Sequence, residues 1–293
     1  METEEFVEEL EKSEYHLIRM AKGDTQEAVA NPSSETEEAA AAAGAANTKP
    51  ISSILIVIAM HTEAAPLVSK FELVEDPDKS LFPNGVPWVR YRGKYKDLDI
   101  NLVWPGKDPS LGVDSVGTVS ASLVTYASIQ AFNPDLVINA GTAGGFKAKG
   151  ASIGDVYLAS AVAFHDRRIP CPVFDLYGIG AKQTFSCPNM LKELNLKVGN
   201  LSTGDSLDMS PHDEAAILAN DATLKDMEGA AVAYVADLLS VPAIIVKAVT
   251  DLVDIGNLTS QDFFQNLVVV SAALNQAVTQ VVDFIIGKCI SDL

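Results

Sequence analysis

The chain's 293 residues, 48% of them hydrophobic, are enough for one large domain with a real core or for two small ones. A net charge of −18 leaves no basic surplus to displace counterions, which argues against a nucleic acid or an anionic membrane as partner. The charge is uneven, because residues 1–50 hold twelve acids against four bases and leave a mildly acidic body. Cys171, Cys187 and Cys289 match no zinc spacing and read as free thiols of a reducing compartment, with a Cys171–Cys187 redox pair as the alternative. The acidic start (Glu2, Glu4, Glu5) is wrong for a signal or transit peptide, and the apolar run 267–274 is too short for a bilayer. The cytosol is the expected compartment, and no metal or cofactor is expected.

Residues 1–50 read as an acidic, low-complexity tail, with a short acidic helix over 2–21 or a disordered extension as its two forms. The folded body spans 51–293. Ile54 to Met60 is an almost unbroken apolar run of strand length, as in a central strand covered on both faces. A helix follows with Thr62 as its N-cap, which puts Glu63 at the carboxyl end of that first strand. Trp88 to Arg92 and Ile100 to Trp104 suggest two strands around a polar hairpin at Lys94-Tyr95-Lys96. A helix of small residues then runs to about Ile129. Leu136 to Ala140 reads as another buried strand, running into Gly141-Thr142-Ala143-Gly144-Gly145, where glycines permit a sharp turn or close approach to a ligand. That loop has neither the dinucleotide spacing nor the Gly-Lys-Ser/Thr ending of a P-loop.

Val156 to Ala163 is a further strand, leading to His165-Asp166-Arg167-Arg168 and a proline-rich, aromatic loop of the kind that covers a site or an interface. Leu201 to Asp208 has a strand–turn pattern. Glu228 stands where an irregular segment becomes a helix, Gly229 to Leu239. The run Ala243 to Val249 is a buried parallel strand ending in Thr250-Asp251, and a carboxylate just past such a strand lies where open α/β sheets hold ligands. Two converging carboxylates suit acid/base chemistry, although Glu228 also fits a helix N-terminal acid and Asp251 a turn former. A long helix from about Ser260 to Gly287 closes the chain, with Asn275, Gln276, Gln280 and Asp283 on its wetter face. The alternation predicts a single α/β domain with a central mixed, mostly parallel sheet flanked by helices.

Four segments occur in the order and spacing of one family: Ala59-Met60-His61-Thr62-Glu63, Asn139 to Gly145, Met227-Glu228-Gly229-Ala230-Ala231 and Ala248-Val249-Thr250-Asp251. Together they resemble the methylthioadenosine/S-adenosylhomocysteine nucleosidases of the purine nucleoside phosphorylase-like superfamily, and Arg167 to Pro170 and Thr203 to Met209 are similar to the plant branch. The resemblance covers 51–293. It implies hydrolysis of the N9–C1′ bond of 5′-methylthioadenosine, releasing adenine and methylthioribose, by a homodimer whose 165–177 loop lies near the partner's site.

By the same resemblance, Asp251 protonates adenine at N7, for which desolvation would have to raise its pKa. Glu63 activates water on the opposite ring face. Glu228 grips the ribose hydroxyls and steadies the developing positive charge. Met227 lies under the ribose or the alkylthio group, Thr142 and Gly144 line the ribosyl side, backbone at Leu207 and Asp208 reads the adenine edge, and Thr250 orients Asp251. His61, His165, Arg167 and Arg168 are assigned structural or interface roles. The related phosphorylases hold phosphate through arginines, one just before the glycine-rich turn; Asn139 stands there instead, favouring water as nucleophile. A phosphate-dependent nucleoside phosphorylase is the rival within the class, and a non-catalytic relative of the plant vegetative storage type is the rival outside it. Acceptance of S-adenosylhomocysteine rests on the width of the 5′ end, walled by residues 252–264 and the partner's 170–177 loop.

Overall fold

The computed structural model describes residues 49–255 and 260–293, so the expected tail helix lies outside the described residues. The strands are β1 Ser53–Val57, β2 Val74–Glu75, β3 Val89–Tyr95, β4 Leu98–Trp104, β5 Leu136–Gly145, β6 Val156–Phe164, β7 Lys182–Gln183, β8 Lys197–Thr203, β9 Ala222–Asp226 and β10 Ala243–Leu252. The helices are α1 His61–Lys70, α2 Thr118–Phe132, α3 Asp175–Ile179, α4 Pro188–Leu194, α5 Pro211–Ala219, α6 Gly229–Leu238 and α7 Ser260–Ile285.

All ten strands join one mixed sheet. Its centre, β4-β1-β5-β10, is parallel throughout, so the carboxyl ends of β1, β5 and β10 open on one edge. Beyond β10 the sheet continues through β6, β8 and β9, and β9 returns to pair antiparallel with the end of β5, closing that half on itself. The β3–β4 hairpin lies on the other side, with β3 running to Tyr95, three residues beyond the expected Arg92, and the turn starting at Lys96.

Side-chain alternation along β1 divides the interior. Ile54 and Ile56 enter one core, shared with Leu67 of α1, with Phe71 at the C-cap of that helix, and with Leu274, Val278 and Val282 of α7. Leu55 and Val57 enter a second core on the opposite face, with Val124 of α2 and Val232 of α6. A strand covered on both faces needs apolar residues at every position, which is why Ile54 to Val57 shows no alternation of hydrophobic and polar types. The segment Phe263–Ile285 is long and apolar enough to cross a membrane, yet half of it is buried inside the protein, and α7 serves as a core helix. Gln276, Gln280 and Asp283 are exposed on its outer face, where Asp283 receives the Lys96 ammonium at 2.7 Å.

Two boundaries differ from expectation. Helix α1 begins at His61 with Met60 as its N-cap, because Glu63 at the third helical position reaches back to the Met60 amide at 3.2 Å. Thr62 is therefore inside the helix. The residues ahead of Glu228 are not irregular, since they form β9, whose short polar sequence Ala-Thr-Leu-Lys-Asp lacks an apolar run.

Leu274 is fully buried between α7 and the sheet. Leu274→Ala is expected to lower unfolding free energy by about 2–5 kcal/mol, measured by urea titration, through lost transfer energy and a residual cavity.

Candidate active site

A cavity of about 440 Å³ opens at the carboxyl edge of β1, β5, β9 and β10. Glu63, Glu228 and Asp251 all line it, as do Thr142, Gly144, Met227, Leu207 and Thr250. Each acid arrives on a different element, and each is nearly excluded from water.

Glu63 sits in the first turn of α1, directly after β1. One carboxylate oxygen accepts from both the amide and the hydroxyl of Thr142, each at 2.7 Å, and the other accepts from the Met60 amide. Burial raises its pKa above the ordinary carboxylate value, against the opposing pull of those bonds and of Lys247. Glu228 is the N-cap of α6 and accepts the Gly117 amide at 2.9 Å, a donor at the start of α2. Burial pushes its pKa up to about 7, with the Lys247 ammonium holding it down and Asp226 adding to the rise.

Asp251 depends on a bulge. Val249 pairs with Ala143 and Asp251 with Gly144, so Thr250 is an extra residue in β10. A bulge re-aims the side chain next to it, and here the Thr250 hydroxyl donates to Asp251 at 2.7 Å, fixing the carboxyl group over the cavity. Gly144 leaves the space. A Cβ there would stand 3.1 Å from an Asp251 oxygen and 2.5 Å from a Val253 methyl.

Leu207 lines the cavity, but Asp208 does not, and its side chain is exposed. Lys225 explains the difference: its ammonium donates to the carbonyls of Ser206 and Leu207, pinning the loop one residue ahead of Asp208. Asn139 is buried in β5 and donates to the Val57 carbonyl, so no cation occupies that point. The bystander residues are accounted for as well. His61 is exposed and packs on the Trp104 ring at 5.4 Å. His165 is buried at the end of β6 with Nδ1 3.2 Å from the Ser202 hydroxyl, Arg167 lies over the rings of Phe164 and Tyr177, and Arg168 pairs with Asp213. None of these four lines the cavity.

Sequence reasoning passed over three charged residues at the site. Lys225 and Asp226 line the cavity from β9, and Lys247 lies behind it in β10. The Lys247 ammonium meets Asp226 at 2.8 Å and is 1% exposed. Its signal was present, since Lys247 interrupts the otherwise apolar run Ala243 to Val249. A cation is tolerated in such a strand only with a buried counter-charge.

The mixed sheet and the buried carboxylates at its edge define the class, an α/β protein with an acid-lined ligand crevice. The Phosphorylase superfamily profile matches residues 53–283. The chain is 63% identical over 250 residues to the 5′-methylthioadenosine/S-adenosylhomocysteine nucleosidase of Arabidopsis thaliana, covering 85% of this chain and 98% of that protein. It is also 63% identical over 260 residues to an Arabidopsis 5′-methylthioadenosine nucleosidase, covering 89% and 97%. The apo structure of an Arabidopsis 5′-methylthioadenosine nucleosidase superposes with a TM-score of 0.82 at 65% identity, over 84% of this chain and all of that one. The chain belongs to the phosphorylase superfamily, in its methylthioadenosine nucleosidase branch.

Gly144→Ala is expected to lower turnover by about 10² by displacing Asp251, while far-UV circular dichroism stays close to that of the parent protein. Unchanged turnover would show that Asp251 does not need this gap.

Proposed function

We propose that the protein hydrolyses the N-glycosidic bond of 5′-methylthioadenosine to adenine and 5-methylthioribose, as a homodimeric cytosolic enzyme of methionine salvage. The observation that carries this reading is the convergence of Glu63, Glu228 and Asp251 on one desolvated cavity. Breaking the N9–C1′ bond sends its electron pair into the purine and leaves positive charge on the sugar. Asp251 donates its proton to N7, so adenine departs neutral. Glu63 takes one proton from water as the water oxygen bonds to C1′, and Thr142 and Met60 hold that carboxylate rigid. Glu228 accepts from the ribose hydroxyls and offsets the charge developing beside it. Met227 and Thr142 pack the ribosyl side, and the Leu207 backbone, fixed by Lys225, faces the base.

Water is favoured over phosphate by electrostatics. The cavity is lined by Glu63, Asp114, Asp226, Glu228 and Asp251 against Lys107 and Lys225, a net negative lining that disfavours a phosphate dianion. The three carboxylates also speak against a non-catalytic, storage-type role. Val253, Phe263 and Phe264 form the apolar wall available to the 5′ substituent, and S-adenosylhomocysteine is the second nucleoside to assay.

The dimer reading is supported by Val119, Leu123 and Tyr126, spaced one helical face apart on α2 and at least half exposed, together with Leu176, 84% exposed, in the 165–177 segment. Cys171, Cys187 and Cys289 form no disulfide with one another, which suits a reducing cytosol. Residues 1–50 are read as an acidic extension outside the catalytic domain.

Adenine release from 5′-methylthioadenosine without phosphate is the direct test, and dependence on phosphate would overturn hydrolysis. Asp251→Asn and Glu63→Gln are each expected to abolish release with the fold intact, and near-normal turnover in either would remove its role. Glu228→Gln is expected to raise KM and lower kcat together. Because the folded pKa of Glu63 is raised and its ionised form is the base, activity should be lost on acidification at a pH above the ordinary carboxylate value of 4.5. In sedimentation equilibrium, Leu123→Asp should convert a dimer into monomers; a monomeric parent protein would end the dimer reading.

A further inference from the structure

One buried charge has no part in the chemistry above. Lys247 sits in the middle of β10, does not line the cavity, and is among the largest fully buried side chains of the protein. Its contacts fall into two groups. On one side its ammonium meets an Asp226 oxygen at 2.8 Å. That same oxygen accepts the Gly229 amide at 2.7 Å, and the other Asp226 oxygen accepts the Thr203 hydroxyl, so the aspartate is fixed at the joint of β8, β9 and α6. On the other side lies Gly141. The place a Cβ would occupy there is 3.3 Å from the Lys247 nitrogen and 3.5 and 3.7 Å from the two oxygens of Glu63. The ammonium and the Glu63 carboxylate thus face the same gap, which exists because residue 141 has no side chain. Glu228 is the other carboxylate in the ammonium's field.

The charged groups lining the adjoining cavity are Glu63 from α1, Lys107 and Asp114 ahead of α2, Lys225 and Asp226 from β9, Glu228 ahead of α6, and Asp251 from β10. Lys225 is occupied with the carbonyls of Ser206 and Leu207. Several carboxylates in one desolvated site do not all remain ionised without a cation among them. The proposed reaction requires two of them to be ionised, Glu63 to accept a proton and Glu228 to accept hydroxyls.

We propose that Lys247 is a positioning residue for this reaction, whose buried ammonium favours the ionised forms of Glu63 and Glu228 while Asp226 fixes the ammonium in place. The inference rests on the hydrolytic reading for its purpose, but its physical content does not. A lysine that merely tied β10 to β9 would change stability and leave the titration of the two glutamates alone.

The test uses Lys247→Met, Lys247→Arg and the double variant Asp226→Asn/Lys247→Met, which removes the ion pair together and leaves no lone buried charge. kcat and kcat/KM for 5′-methylthioadenosine are measured against pH, and thermal unfolding is followed alongside. Carboxylate ¹³C titration of the full-length protein without substrate reads Glu63 and Glu228 directly. In Lys247→Met the acidic limb and both carboxylate midpoints should move upward by about one pH unit or more, with activity at pH 6 lost before activity at pH 8, and in the double variant, where loss of Asp226 offsets the effect on Glu228, the Glu63 midpoint should still rise. Lys247→Arg should restore the parental limb. Unchanged midpoints in a folded methionine variant would overturn the proposal, as would failure of both methionine variants to fold, which would assign the pair to structure alone. If the parent protein released no adenine, the hydrolytic reading would fail, while the ¹³C midpoints would still decide the role of Lys247.

Discussion

Desolvated negative charge is the constraint on which this molecule is arranged. Glu63, Asp226, Glu228 and Asp251 are all buried at one edge of the sheet, and burying an ionised carboxylate without partners is prohibitive. Each therefore has a defined set of donors: Thr142 and Met60 for Glu63, Gly117 for Glu228, Thr250 for Asp251, and Gly229, Thr203 and Lys247 for Asp226. Most of these donors are backbone amides or short hydroxyl side chains on rigid elements. The site is accordingly held by the sheet itself and not by mobile side chains, which suits a reaction whose proton donor and acceptor must stand on opposite faces of one sugar.

The topology supplies the convergence. Parallel neighbours deliver their carboxyl ends to one edge, so β1, β5 and β10 bring Glu63, Thr142 and Asp251 together although nearly two hundred residues separate the first from the last. The return of β9 against the end of β5 adds Asp226 and Glu228 to the same crevice. Gly141 and Gly144 provide the clearance in which these side chains meet. A methyl group at either position would press on a carboxylate oxygen or on Lys247.

Much of this was legible in the sequence, for identifiable reasons. Ile54 to Met60 and Ala243 to Val249 are apolar at nearly every position, and only central parallel strands use such runs, so the edge carrying Glu63 and Asp251 could be located. Strand β9 was not legible, because it is short, polar on one side and pairs through its backbone with distant segments. The 197–203 and 211–219 elements were blurred by the same lack of hydrophobic period. Thr62 looked like a cap from its residue type, while the actual cap at Met60 is set by Glu63 acting backward, an interaction that composition does not display. Lys247 was visible but unweighted, since its meaning depends on Asp226, twenty-one residues away in the chain.

The bulge at Thr250 makes the end of β10 sensitive to the loss of a single residue. A strand places its residues by twos, and the pairing of β10 with β5 is regular from Ala243 to Val249. Deleting one residue at the bulge would leave that upstream register untouched, so the domain would still assemble. It would nonetheless straighten the strand where the aspartate leaves it and remove the Thr250 hydroxyl that holds its carboxyl group. One deletion at this spot thus separates the assembly of the domain from the placement of a single carboxyl group at the mouth of its cavity.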